Sequence, residues 1–336
     1  MNLFNASDDS SAIHNVYLSS FGSVLQVAFQ IIIAGYLVIF PFYAYVYKVN
    51  RVREETTLFF PIISHFYELM KKIYVVFLYL MVSCFVQKLY GDHMKYTYVN
   101  SGIMIVTILS LLFLTTVVQV CHLLISLTAL QKLLIYFFPA VEKPAIAVQK
   151  SLYNHITVVY VIFGIKESAS GVWLFLSLFL DYSENATFLF NVVYLSIFLF
   201  LNILLMASSF LYIPIMLSIR KFSYLPSSQD NKPQKFILWQ TVIILIFKFS
   251  FFPSVVHLLI IETPLWAIIF TLVCADIVLI PLIIQVSYLG CNKRNVNTLI
   301  SSFSLIKFIR VLSDRKRQAT VQPGVEFTFA SSQAVI

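Results

Sequence analysis

Charge is scarce in this chain. Only 11% of its 336 residues are charged, against about a quarter in soluble domains, while 60% are hydrophobic and the mean hydropathy is +0.87. So few charges cannot cover a globular surface in water. Cysteine is scarce too: Cys84, Cys121 and Cys274 lie inside apolar runs and only Cys291 lies outside one, which excludes a disulfide framework. There is no His-Glu-x-x-His, P-loop, Gly-x-Ser-x-Gly or paired-cysteine motif, so nothing supports an enzyme, a cofactor or a metal site. No internal repeat and no separate soluble domain is present. The first 21 residues carry Asp8 and Asp9 but no Lys or Arg. They lack the basic start of a cleavable signal peptide, and the first apolar run reads as an uncleaved signal anchor.

What the chain has instead is long apolar runs. A helix needs about 20 mostly apolar residues to cross a hydrocarbon core about 30 Å thick. Seven runs qualify: 22–47, 73–90, 102–127, 156–180, 188–219, 237–261 and 265–289. The expected fold is all-α, a seven-transmembrane-helix bundle. The second run is short, but Lys71, Lys72 and Lys88 flank it and can snorkel to the interfaces. The fourth is interrupted by Lys166 and Glu167, and a charge near mid-membrane costs at least about 2.5 kcal/mol on insertion scales.

The net charge of +8 does not indicate nucleic acid, because the basic residues sit in short segments between apolar runs, as topology determinants do. With seven crossings, one side collects Lys48, Arg51, Arg53, Lys71, Lys72, Lys132, Lys143, Lys150, Arg220, Lys221, Lys232, Lys235 and seven basic residues of the tail. That is 19 of the 23 Lys and Arg residues. The other side has Lys88 and Lys95, and Lys166 and Lys248 lie within runs. The positive-inside rule then places residues 1–21 outside and the tail, 290–336, in the cytoplasm. Without the fourth crossing, the four basic residues of the loop after the fifth run would move outside, so the same rule argues that the fourth run crosses. The sequons at Asn5 and Asn185 both fall on the outer side and are candidate glycosylation sites.

Several residues are candidates for function. Lys248 and Asp276 are charges near mid-membrane in the sixth and seventh runs, roughly 16 Å and 20 Å from the inner boundary at ~1.5 Å per residue. An ion pair between them is the expected way to tolerate both, with either an architectural or a ligand-binding role. Lys166 and Glu167, sequence neighbours about 100° apart on a helix, are not expected to face each other. Their candidate partners are a polar pocket shared with Lys248 or Asp276, a water-filled gap, or a helix contact through Ser168, Ser170 and Gly171. His257 is a candidate ligand contact or a hydrogen-bonded residue of the bundle. Pro214, Pro253 and Pro281 are candidate kinks, since each removes an intrahelical hydrogen bond. Cys291, directly after the last run beside Asn292, Lys293 and Arg294, sits where juxtamembrane cysteines are palmitoylated, or remains a plain thiol. Apolar residues are frequent but scattered from Asn297 to Leu312, the outline of an interfacial helix.

The end of the third run reads Leu127-Thr128-Ala129-Leu130-Gln131-Lys132-Leu133-Leu134-Ile135-Tyr136-Phe137-Phe138-Pro139. The third cytoplasmic loop runs from Ile213-Pro214-Ile215-Met216 through Asn231-Lys232-Pro233-Gln234-Lys235-Phe236 into Trp239-Gln240-Thr241. With Pro41-Phe42-Tyr43 and Phe60-Pro61-Ile62-Ile63, these segments resemble the nematode serpentine chemoreceptors of class Z, over about residues 36–290. The resemblance implies a G-protein-coupled receptor of chemosensory neurons, at the plasma membrane and in the sensory cilium, with a small-molecule ligand and a heterotrimeric G protein as partners. G-protein contacts are then expected at Gln131, Lys132, Arg220, Lys221, Lys232 and Lys235, whose charge topology alone also explains. Rhodopsin-type switches are not implied: Leu130-Gln131-Lys132 stands where those receptors have Asp-Arg-Tyr, and Ile280-Pro281 with Tyr288 departs from Asn-Pro-x-x-Tyr. The last run has no lysine for retinal. Two rivals are an inverted seven-helix ligand-gated channel, which the charge count and both sequons oppose, and a transporter using Lys166, Glu167, Lys248 and Asp276 as a charge relay.

The topology makes a direct prediction. Glycosidase treatment of the expressed protein should lower its mass, and Asn5→Gln with Asn185→Gln should remove that shift. Glycan on a sequon introduced between Arg220 and Lys235 would contradict it.

Overall fold

In the computed structural model, residues 5–55, 60–90, 97–179, 184–221, 242–250, 256, 265–290, 293–300 and 304–313 are described. Among them, every regular element is helical. The first three helices are α1 (Asn5–Glu54), α2 (Phe60–Tyr90) and α3 (Thr97–Phe137). A 3-10 turn at Pro139–Val141 leads into α4 (Glu142–Asn154) and α5 (Ile156–Phe179), followed by α6 (Glu184–Lys221). The sixth apolar run contributes α7, residues 242–250. Then come α8 (Leu265–Gly290), α9 (Lys293–Ile300) and α10 (Leu305–Ser313).

Among the described residues, α1, α2, α3, α5, α6 and α8 are each long and apolar enough to cross a membrane. The doubtful fourth run is one of them, with a qualifying stretch at Ile156–Trp173. Several helices overrun the ~20 residues a bilayer needs: α1 has 50, α3 41 and α6 38. Helix propensity does not stop at a membrane boundary, which is why α1 starts well before residue 22 and takes in Asn5. Asn185 likewise lies in the first turn of α6. Pro214 and Pro281 lie inside α6 and α8, and each helix continues past its proline, as α1 does past Pro41. His257, Pro253, Cys291, Lys232 and Lys235 lie outside the described residues.

α3 is the central strut, packed against α6, α5 and α8, and α1 packs against α8 and α2. The lipid-facing sides remain apolar and exposed, as at Val38, Phe85, Ile108, Ile162 and Phe200. This is the pattern of a bundle whose outer solvent is hydrocarbon.

One end of the bundle, where α1, α3 and α8 finish and α2 begins, carries Lys48, Arg51, Arg53, Lys71 and Lys72, and is called the basic end here. It is knitted by tyrosines. Tyr36 Oη donates to the Met70 carbonyl at 2.8 Å and its ring meets Phe77 edge-on at 4.9 Å. Tyr47 stacks on Tyr67 at 3.9 Å, and Tyr43 meets Tyr288 edge-on at 5.2 Å. Tyr288 Oη donates to both oxygens of the buried Glu54 carboxylate, at 2.9 and 3.0 Å. Asn295, on α9, donates to the Tyr288 carbonyl at 2.7 Å and accepts from Asn50 at 2.9 Å. Glu54, Tyr288, Asn50 and Asn295 thus join the ends of α1 and α8 to the start of the tail.

Among its described residues the tail forms two helices, α9 and α10, where the sequence outlines one. α10 folds back on α1 through Phe308, whose ring lies 5.5 Å from Phe42 and 5.4 Å from Tyr45. Lys48 Nζ donates to the Val311 and Leu312 carbonyls at 3.0 Å each. These belong to the last turn of α10, whose carbonyls have no intrahelical partner.

Tyr288→Phe should remove the phenol's bonds from a buried carboxylate and cost about 1–3 kcal/mol, read as a lower thermal midpoint of the purified protein. Combining it with Glu54→Gln should cost less than the sum of the two, since both remove one interaction. Strict additivity would show that the pair is not coupled.

Candidate intramembrane polar site

Two buried polar clusters occupy the middle of the bundle. The first joins α6, α7 and α8. Lys248 Nζ contacts both carboxylate oxygens of Asp276, at 2.6 Å for Oδ2, and Asn202 Oδ1 at 2.6 Å. The Asn202 amide has its other end occupied, because Nδ2 donates to the Phe198 carbonyl at 2.9 Å one turn back. Its oxygen is therefore aimed at the lysine. Lys248 and Asp276, the two charges singled out in the sixth and seventh runs, are brought together.

The second cluster joins α3, α5 and α6. Lys166 Nζ lies 2.7 Å from Glu167 Oε1, so these neighbours do pair, against the expectation that they would not face each other. The reason lies on α3. Gln119 Oε1 accepts from Lys166 at 3.0 Å and its Nε2 donates to Glu167 Oε1 at 2.7 Å. One amide engages acid and base together, and the long, flexible lysine stem bends across the ~100° that separates adjacent helical residues. Tyr194 completes the group: its hydroxyl donates to Glu167 Oε2 at 3.3 Å and its ring lies 4.5 Å beneath Lys166 Nζ. Ser170 bonds within its own helix to the Lys166 carbonyl, and Gly171 faces the Leu112 side chain of α3 with room for a Cβ.

The clusters meet across α3. Gln119 and His122, three residues apart and so on one face, line a small gap with Asp276, Thr115, Phe198, Leu201 and Val273. It has room for about one water molecule. His122 is 2% exposed. Its Nε2 lies 3.9 Å from Asp276 Oδ2, too far for a hydrogen bond, and has no hydrogen-bond partner among the described residues. Each charge is matched locally, leaving His122 as the polar group of this gap without a partner.

Gln119, His122, Asn202 and Tyr194 were not singled out from the sequence. A signal exists in the sequence, since an amide or imidazole inside an apolar run must find a partner in hydrocarbon. Among the described residues no group of three or more His, Cys, Asp or Glu side chains could hold a metal ion.

At the basic end, Gln131 is turned inward. Its Nε2 donates to Gln149 Oε1 at 2.8 Å and to the Ala145 carbonyl at 3.2 Å, fastening α4 to the end of α3. Lys132 is on the same helix, and Arg220 and Lys221 form the last turn of α6. Around Gln131, Leu134, Phe137, Phe138, Val141 and Val148 are exposed.

Lys248→Ala or Asp276→Ala leaves a buried charge unpaired and should each cost about 3–5 kcal/mol, read as lost surface expression and a lower thermal midpoint. The double substitution should recover much of that loss. Absence of any recovery would mean the two charges do not stabilise each other.

A family model described as serpentine type 7TM GPCR chemoreceptor Srz matches residues 26–293. Nothing among curated proteins or solved structures matches the chain. The family match begins within α1 and ends at the first residue of α9, and so takes in every candidate crossing among the described residues and both polar clusters. The chain therefore belongs to the Srz serpentine chemoreceptors, multi-pass membrane proteins of the seven-transmembrane G-protein-coupled receptor class.

Proposed function

We propose that this receptor binds a small-molecule cue between α3, α5, α6, α7 and α8 and passes the signal to a heterotrimeric G protein at the basic end. The observation that carries this reading is the paired network around the small gap at His122. A ligand that took over one partner of these ion pairs would create a second arrangement, and a ligand shifts a conformational equilibrium only by binding one state better than the other. Thr115, Gln119, His122 and Asp276 are the polar groups that line this gap, with Phe198, Leu201 and Val273 in its apolar wall.

The charge asymmetry supports an N-terminus outside the cell and the basic end in the cytoplasm, at the plasma membrane and in the sensory cilium of a chemosensory neuron. There, Lys132, Arg220, Lys221, Lys232 and Lys235 supply positive charge. Gln131 contributes through α4, by holding the second loop in place. The exposed apolar group from Leu134 to Val148 resembles the core of a protein interface, where desolvated aromatic side chains carry most of the affinity.

A ligand screen of the full-length receptor, co-expressed with a promiscuous G protein, tests this reading. An activating compound should give no response in cells without functional G proteins, and ionic current or flux of unchanged size there would favour a channel or carrier. Phe138→Ser with Val148→Ser, both on the surface, should weaken coupling by at least about fivefold while ligand binding persists. His122→Phe, which fills the gap, should lower ligand potency at normal surface expression.

A further inference from the structure

Few polar atoms line the gap at His122, and the bonds each can still make are countable. Thr115 Oγ1 gives its proton to the Leu111 carbonyl at 2.9 Å, so it presents only lone pairs. Both ends of the Gln119 amide are taken, by Lys166 and Glu167. Asp276 receives Lys248 on both oxygens and, as a carboxylate, only accepts. His122 Nε2 has no hydrogen-bond partner among the described residues, and the carboxylate 3.9 Å away favours the neutral tautomer that turns its N–H towards that charge. The gap therefore offers one donor, at His122, opposite lone pairs at Asp276 and Thr115.

An oxygen at ordinary hydrogen-bond lengths from His122 Nε2 and Asp276 Oδ2, about 2.8 Å to each, bridges them at an angle of about 90°. It has to accept from the first and donate to the second. A hydroxyl does both, whereas a carbonyl has no proton for Asp276 and an ammonium has no lone pair for His122. Charge points the same way. Lys248 with Asp276 and Lys166 with Glu167 already balance, so a charged head would stand unmatched in a buried site. The room is about that of one water molecule, and Phe198, Leu201 and Val273 offer no partner to a second hydroxyl.

We infer that the cue is a neutral, apolar alcohol whose single hydroxyl bridges His122 and Asp276, with its hydrocarbon body against Phe198, Leu201 and Val273. The assignment rests on the reading of this gap as the ligand site. Once bound, the hydroxyl shares Asp276 Oδ2 with Lys248, which keeps Oδ1 and Asn202. Water can make the same two bonds, so the advantage of the alcohol over water comes from burying its body.

Thermal midpoints of the purified full-length receptor in nanodiscs test this with probes that share one chain and differ in the head: 1-hexanol, hexanal, hexylamine and hexanoate, beside the alcohols from 1-butanol to 1-octanol. The His122→Phe receptor, whose gap is filled, reports the effect of each probe on the bilayer and is subtracted. 1-Hexanol should protect at a concentration at least about tenfold below that of the other heads, the loss expected when a buried partner is left unsatisfied. His122→Leu should raise that concentration by about tenfold, and His122→Gln, which keeps an N–H donor, should restore much of it. A best response from hexylamine would overturn the inference in favour of a cation replacing Lys248, and one from hexanoate in favour of an anion held by Lys248. Hexanal acting best, or all heads acting equally, would overturn it because Asp276 would then not be read. An unchanged 1-hexanol response in His122→Leu would overturn it by placing the hydroxyl elsewhere. Signalling is measured separately. If no alcohol protects a receptor that another compound activates through a G protein, the hydroxyl assignment fails and the receptor reading stands. If 1-hexanol protects a receptor that no compound couples to a G protein, the assignment is supported and the signalling reading fails.

Discussion

Hydrocarbon offers no hydrogen bonds, and every charge placed in it has to bring its partner along. That constraint governs the middle of this receptor. Lys248 is matched by Asp276 and Asn202, and Glu167 by Lys166, Gln119 and Tyr194. Each cluster draws on three helices, so satisfying a charge also sets the rotation and depth of the helices that supply the partners. Such a pair adds little net stability over a well-packed apolar contact, whereas breaking it costs several kcal/mol. The clusters act as pins for helix register more than as a source of overall stability.

The basic end is held by different means. There the interactions include aromatic stacking, the Lys48 bonds to the end of α10, and hydrogen bonds from Tyr288 to the buried Glu54 carboxylate. α1, α2, α8 and α9 converge on that group, and α10 adds a further contact to α1. α3 connects the two regions. It carries Gln119 and His122 in the polar middle, and Gln131, which anchors α4, at the basic end. A change in how the middle network pairs would therefore act on a helix that also positions the second loop.

Much of the fold could be read directly, because length and apolarity alone define a membrane helix and backbone bonding leaves no alternative to helices in lipid. The helix ends were less legible: α1 and α6 run on past the apolar stretch, since polar residues are as compatible with a helix in water as apolar ones are in lipid. The scattered apolar residues from Asn297 to Leu312 outline one interfacial helix in the sequence. Asn295 bonds α9 to α8 and α1, and Phe308 packs α10 on α1; the contacts to α1 reach across more than two hundred residues.

The sequence by itself determined that the chain lives in a membrane, which runs are long and apolar enough to cross it, and which residues there are too costly to leave alone, because transfer from water to hydrocarbon depends on each side chain's own chemistry. Only the tertiary structure decided which of them meet. Lys166 and Glu167 pair because Gln119, on another helix, draws them together, and His122 lies beside Asp276 without bonding to it. Partner choice depends on distances between helices that are remote in the chain, and no local pattern of residues encodes those distances.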